Sequence, residues 1–301
     1  MNKTIVVVGA TGNLGGKIIN ALLAKGAEVK AIVRIETDEK KINELENKGV
    51  KVYQIDTSNK SEISKYCMGA NCVVSALAGL RETVVDAQKI ILDAAVEANV
   101  RRFIPSDYSS DFTDLVEGQN RNLDLRREFH QYLDKAPIKA TTIFNGPFMD
   151  LLTTDMPLIM FKQKRILCWG SPNQIIEFTT TYNIAEFTAE VAMDEDTPRY
   201  LRIAGDRLSC NDFVKLLTEL TGNKYKIFRP GGIKLLNIII NTTRFFSPSK
   251  KELYPAWQGM QYMRDMMEGR IIFQKYDNNR YPTLKWTSVK EFLINEEVSL
   301  K

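Results

Sequence analysis

Ile5-Val6-Val7-Val8-Gly9-Ala10-Thr11-Gly12-Asn13-Leu14-Gly15 is the stretch on which the reading of this chain turns. Four β-branched residues in a row favour an extended strand, and the glycine after them breaks it. Beyond the turn, Ile18, Ile19, Leu22 and Leu23 recur at helical spacing between Lys17 and Lys25. Strand, glycine-rich turn and helix in direct succession form the context that a dinucleotide fingerprint requires. Small residues let the backbone approach a pyrophosphate, whose charge meets free N–H groups and the positive end of the helix dipole. The plain alternative is a glycine-rich structural turn.

Outward from this stretch the alternation continues. Gly26 stops the helix, and strands are expected at 29–33, 50–55, 72–77, 102–105 and 138–144, with helices at 38–48, 83–98 and 124–134. Strands separated by helices need right-handed crossovers and build a parallel sheet covered on both faces. The expected architecture is therefore α/β: a doubly wound NAD(P)-binding Rossmann fold over residues 1–152. Past residue 150 the rhythm loosens around Met156-Pro157, Gly170-Ser171-Pro172 and Pro230-Gly231-Gly232. Residues 153–301 are expected to form a smaller C-terminal lobe for substrate or partner. Helices are expected there at 179–191 and 209–221, and residues 173–192 are expected to return to the first domain.

Composition narrows the classes. The chain has 301 residues, 44% hydrophobic and 26% charged, which suits a globular protein with a sizeable core. Basic residues number 41 against 37 acidic and are dispersed, so no nucleic-acid partner is expected. Cys67, Cys72, Cys168 and Cys210 show no Cys-x-x-Cys spacing and His130 is the single histidine, so no metal site is expected. The first residues lack the apolar core of a secretory signal, which points to the cytoplasm. The apolar run at 233–240 is broken by Lys234 and Asn237 and is far shorter than the ~20 residues of a membrane span. It reads as a buried helix, with no membrane partner expected. Oligomeric state is not legible.

The second strand ends at Arg34, where an NAD site would place a carboxylate against the ribose 2′-hydroxyl. A guanidinium there suits a 2′-phosphate and selects NADP(H); a solvated strand-end arginine is the alternative. Asp56, ending the third strand, has the place to accept from the adenine amino group or to cap a turn. Ser75-Ala76-Leu77-Ala78 ends the fourth strand, and its small residues let the chain pass beside a cofactor; packing alone is the alternative.

Together Gly9 to Gly15, Val33-Arg34, Val73-Val74-Ser75-Ala76, Arg101-Arg102-Phe103-Ile104-Pro105-Ser106-Asp107 and Asn145-Gly146-Pro147-Phe148 resemble the NmrA-like family of atypical short-chain dehydrogenases/reductases, which is similar to isoflavone reductases. The resemblance implies that Thr11, Gly12, Asn13 and Leu14 hold the pyrophosphate. It also implies that Ser106, Asn145, Gly146 and Phe148 border the nicotinamide. It implies either an NADPH-dependent oxidoreductase acting on a small carbonyl, enone or quinone-like substrate, or a non-catalytic NADP(H) sensor acting through a regulatory protein partner.

The chemistry is less legible. The usual Tyr-x-x-x-Lys pair is missing after Tyr108 and Tyr132, which disfavours an epimerase. Tyr281 and Lys285 match the spacing, but Pro282 lies between them, far downstream. The related reductases carry a lysine on the helix before the sixth strand, where this chain has Arg126, or Arg127. Arginine stays protonated and is a poor proton donor. An apolar face of Leu125, Phe129, Tyr132 and Leu133 places Arg126 at its margin and His130 on the same flank. Tyr108, Arg126 and His130 are the catalytic candidates.

Overall fold

A computed structural model describes residues 3–154 and 156–296. Its first half runs β1 (Thr4–Val8), α1 (Asn13–Ala24), β2 (Glu28–Arg34), α2 (Glu39–Glu46), β3 (Lys51–Ile55), α3 (Lys60–Cys67), β4 (Cys72–Ser75), α4 (Gln88–Glu97), β5 (Arg102–Ile104), α5 (Arg121–Leu133), β6 (Lys139–Ala140) and β7 (Thr142–Phe144). The first six strands form one parallel sheet in the order β3-β2-β1-β4-β5-β6. Chain order reverses between β1 and β4, where Val8 pairs with Ser75. That reversal opens a crevice at the carboxyl ends of the strands, the place where such sheets bind ligands.

Burial on both faces explains the unbroken apolar run of β1. Ile5 and Val7 pack with Ile18, Ile19 and Leu22 of α1, and Val6 and Val8 pack with Ile63, Ile91, Leu92 and Phe129 from the opposite helices. α3 escaped the periodicity because Lys60, Glu62 and Lys65 mask its short Ile63–Cys67 face; Asn59 caps it by accepting from Glu62 N. The helix expected at 83–98 is composite, with a π-helical segment, Glu82–Ala87, leading into α4. The last strand breaks at Thr141, whose N–H still reaches Phe103 O at 3.1 Å.

The second half continues with β8 (Ile159–Met160), β9 (Arg165–Leu167), β10 (Ile175–Phe178), α6 (Thr181–Met193), β11 (Tyr200–Arg202), β12 (Asp206–Ser209), α7 (Cys210–Thr221), β13 (Lys226–Phe228), α8 (Ile233–Phe246), α9 (Ala256–Glu268) and α10 (Val289–Asn295). β11 lies parallel to β7. Within residues 173–192 the two elements divide: Ile176 and Phe178 of β10 join the second core, while Ile184 and Phe187 of α6 join the first. The second core gathers Trp169, Phe213, Leu217, Leu236, Ile240 and Met263.

Two expectations need correction. α8 forms, but only Leu236 and Ile240 of it are buried, because one side alone meets the core. Leu235, Ile238, Phe245 and Phe246 are exposed. On α5, Tyr132 points outward and Leu125 is only half-buried; the buried face is Asn122, Leu123, Phe129, His130 and Leu133. Among the described residues, no helix is long and apolar enough to cross a membrane.

Candidate functional site

The turn between β1 and α1 is a cradle whose shape depends on two glycines. Gly9 has φ +85°, a left-handed conformation, and a Cβ there would lie 2.4 Å from Ala76 O. A Cβ on Gly15 would lie 2.1 Å from Gly9 O. Gly12 differs: its φ is −80°, and a Cβ would meet only Gly9 O, at 3.3 Å. Thr11, Gly12 and Asn13 are exposed at the tip. Gly12 is the N-cap of α1 with no side chain to cap it, and no acidic residue stands in the first turn. The first N–H groups of the helix and its positive dipole end therefore remain available to an anion.

Arg34 ends β2 with its side chain exposed, and its carbonyl accepts from Thr37 N at 2.9 Å. Asp38 beside it is turned to α2, where it accepts from Lys40 N at 2.8 Å. Asp56 uses Oδ1 to hold its own turn, accepting from Ser58 N at 2.8 Å and Ser58 Oγ at 2.7 Å. The two bonds lower its pKa.

Next to the cradle, Ser106 fastens three elements. Its hydroxyl donates to Leu77 O at 2.5 Å and its N–H to Gln88 Oε1 at 2.8 Å, while Gln88 Nε2 donates to Val84 O at 2.8 Å. Sequence reasoning missed Gln88, which sits at the junction of the π-helical segment with α4. Asn145 follows β7; its N–H donates to Ser109 O at 2.9 Å and its Nδ2 to Gly146 O at 2.7 Å. Gly146 has φ +65°, and a Cβ there would lie 2.5 Å from Glu177 O of β10. Phe148 bridges to Thr179 just past β10. The second half is thus brought onto the crevice at 145–148.

Among the described residues, three buried side-chain oxygens along this rim have no partner: Ser75 Oγ at the end of β4, Asp107 Oδ1 after β5 and Asn145 Oδ1 after β7. Buried polar atoms are seldom left so. Their concentration at the strand ends, beside an open helix N-terminus and a glycine cradle, fits a polar ligand laid across the crevice.

Behind the rim lies an unanticipated cluster. His130 is buried, and its Nε2 stands 2.6 Å from Asp107 Oδ2. Thr142 Oγ1 donates to the same oxygen at 2.8 Å and accepts from Arg199 Nη1 at 2.7 Å. Burial works to raise the Asp107 pKa, but the charge and hydrogen bond of His130, with Arg126 and Thr142, outweigh it and hold the carboxyl below the ordinary range. Thr142 and Arg199 carry no motif that could have announced them; only folding brings them to Asp107.

The other candidates fall as follows. Tyr108 is not in the crevice: it packs with Val74, Ile104 and Ile184 in the core beneath the sheet, and burial pushes its pKa up. Arg126 is half-buried; Nη1 donates to Asn122 O at 2.9 Å, and its buried Nε has no partner among the described residues. Arg127 is turned away, donating to Asp124, Phe112 O and Leu115 O. Tyr281 donates to Asp194 Oδ2 at 2.7 Å and packs on Phe187, so the Tyr-x-x-x-Lys match serves packing. Two cavities, of about 670 and 490 Å³, open beside α5 and α8, and neither is lined by a rim residue.

The profile of the NmrA-like family matches residues 1–293. Oxidoreductase BOA1 of Botryotinia fuckeliana (strain B05.10) is 28% identical over 241 residues, covering 75% of this chain and 78% of that protein. The structure of AtPrR2 with NADP+ and (+)pinoresinol superposes with a TM-score of 0.80 at 21% identity, covering 97% of this chain and 98% of the other. An isoflavone reductase structure gives a TM-score of 0.82 at 18% identity, covering 98% and 100%.

Proposed function

This chain belongs to the NmrA-like family, and on that premise we propose that it is an NADPH-dependent oxidoreductase acting on a small carbonyl, enone or quinone-like substrate. The observation that carries the reading is the uncapped N-terminus of α1 set in its glycine cradle at the reversal of strand order. Its relatives in sequence and structure include a protein named an oxidoreductase, an NADP+ complex with pinoresinol and an isoflavone reductase.

In this reading Gly9, Thr11, Gly12, Asn13, Leu14 and Gly15 hold the pyrophosphate, and the exposed Arg34 guanidinium binds the 2′-phosphate. Asp56 keeps one oxygen for adenine, and Ser75, Ala76 and Leu77 line the passage. Ser106 keeps the ends of β4 and β5 together, while Asn145, Gly146 and Phe148 border the nicotinamide end. When bound, NADPH supplies a hydride. The matching proton is the protein's task. Asp107 and His130 hold one behind the rim, with Thr142 and Arg199 fixing the carboxylate. Tyr108, enclosed in the core, is dropped as a donor. Arg126 anchors or orients the substrate. Residues 1–152 are the cofactor domain, with α6 completing it, and the rest of 153–301 is the substrate lobe.

Arginine in place of the related reductases' lysine favours a second reading, a non-catalytic NADP(H) sensor that works through a partner protein. Stereospecifically deuterated NADPH separates the two when offered with a panel of carbonyls, enones and quinones. Deuterium in a product, with kcat lowered at least tenfold by His130→Gln at unchanged NADPH affinity, is the expected outcome. Tight NADPH binding with no transfer to any acceptor would favour the sensor.

A further inference from the structure

α8 is apolar on two opposite sides. Leu236 and Ile240 face the core, whereas Leu235, Ile238 and Phe245 recur at helical spacing on the outside, with Phe246 beside them. Phe245 and Phe246 are 80% and 78% exposed. Of the twelve large hydrophobic residues exposed among the described residues, four lie on α8, and two of them, Phe245 and Phe246, pack edge to face. An apolar patch this concentrated marks an interaction surface.

Charge is segregated over the same segment. Residues 220–251 contain Lys224, Lys226, Arg229, Lys234, Arg244, Lys250 and Lys251 and no aspartate or glutamate. All seven cations are exposed, and none forms a salt bridge among the described residues. The whole chain has a net charge of only +4, so the remainder is net acidic. The spacing of these cations along the chain hid them from a search for basic blocks. The cavity of about 670 Å³ adjoins them: Arg244 and Lys250 stand on its wall with Phe245, Trp257 and Arg121, and no carboxylate lines it.

We propose that α8 and the turn following it dock on an anionic lipid bilayer. The helix lies in the plane of the headgroups, inserts Ile238, Phe245 and Phe246 among the acyl chains and sets its cations against lipid phosphates. An apolar stripe flanked by lysine and arginine is the pattern of an interfacial helix, which needs no spanning length. A second copy is a poorer occupant, because it would bring an equally basic face against this one. Nucleic acid would satisfy the cations but leave the phenylalanines in water.

The test is co-sedimentation of the full chain with vesicles of phosphatidylcholine plus phosphatidylserine and with vesicles of phosphatidylcholine alone, at low and high salt. Binding is expected to the anionic vesicles only, weakened by salt, and reduced on the order of tenfold or more in Ile238→Ser/Phe246→Ser and in Lys234→Glu/Lys251→Glu. Far-ultraviolet circular dichroism and thermal melts of both variants should match the parent, since all four positions are exposed. Absence of binding to anionic vesicles overturns the proposal, as does equal binding to phosphatidylcholine alone or undiminished binding by both variants. A concentration-dependent dimer abolished by the same substitutions would also overturn it and assign the face to a second copy.

Discussion

α1 and α7 are both twelve residues long and begin in opposite ways. Ser209 closes α7 with a reciprocal pair: its hydroxyl accepts from Asp212 N at 3.2 Å, and Asp212 Oδ2 accepts from Ser209 N at 3.0 Å. α1 begins at Gly12 with neither a capping side chain nor an acidic first turn. Glycine at the N-cap gives up only about a few tenths of a kcal/mol against serine, and at the reversal of strand order, where Gly9 and Gly15 also clear the space, it leaves the first helix N–H groups open. An open start by itself is not distinctive, since α8 also begins at an uncapped glycine, Gly232. The cradle around the start of α1 makes the difference.

The glycines of that cradle should separate cleanly. Gly15→Val is expected to have the largest effect, destabilising the fold by roughly 4 kcal/mol or more, because its side chain would press on the Gly9 carbonyl. Chemical denaturation, or failure to recover folded protein, reads this out. Gly12→Val should leave the melting temperature within a few degrees of the parent while weakening NADPH binding by about a hundredfold or more, since its added atoms would occupy the place of the phosphate. Equal losses of stability in the two variants would break the comparison. Ser209→Ala should show the smallest effect, about 1 kcal/mol of stability with NADPH affinity unchanged.

What could be read in advance follows the range of the interactions. β1, the turn and α1 are adjacent in sequence, and their pattern of β-branched residues, glycines and helical apolar spacing is complete within about two dozen residues. α3 was hidden because a short charged helix shows one apolar face residue per turn. The π-helical segment before α4 leaves no periodic trace, and neither does the break at Thr141. The site divides in the same way. The glycine loop and Arg34 stand at recognisable offsets, whereas Asp107, His130, Thr142 and Arg199 meet only through the packing of α5 and the 199–202 segment against β5 and β7. His130 shares the buried face of α5 with Leu123, Phe129 and Leu133, yet nothing local in the sequence pairs it with Asp107. Tyr108 failed as a candidate: its position after β5 was right for the crevice, but its side chain turns beneath the sheet into the core.

The central claim is that the open start of α1 and the exposed Arg34 together form a site for NADP(H). Calorimetric titration of NADPH and NADH into the parent and Arg34→Asp, at one salt concentration, tests it most directly. The account predicts that the parent binds NADPH at least about tenfold more tightly than NADH, a difference of roughly 1.4 kcal/mol, and that Arg34→Asp removes or reverses the preference by repelling the 2′-phosphate. Equal affinities of the parent for the two cofactors, or a preference for NADPH undisturbed in Arg34→Asp, would contradict it.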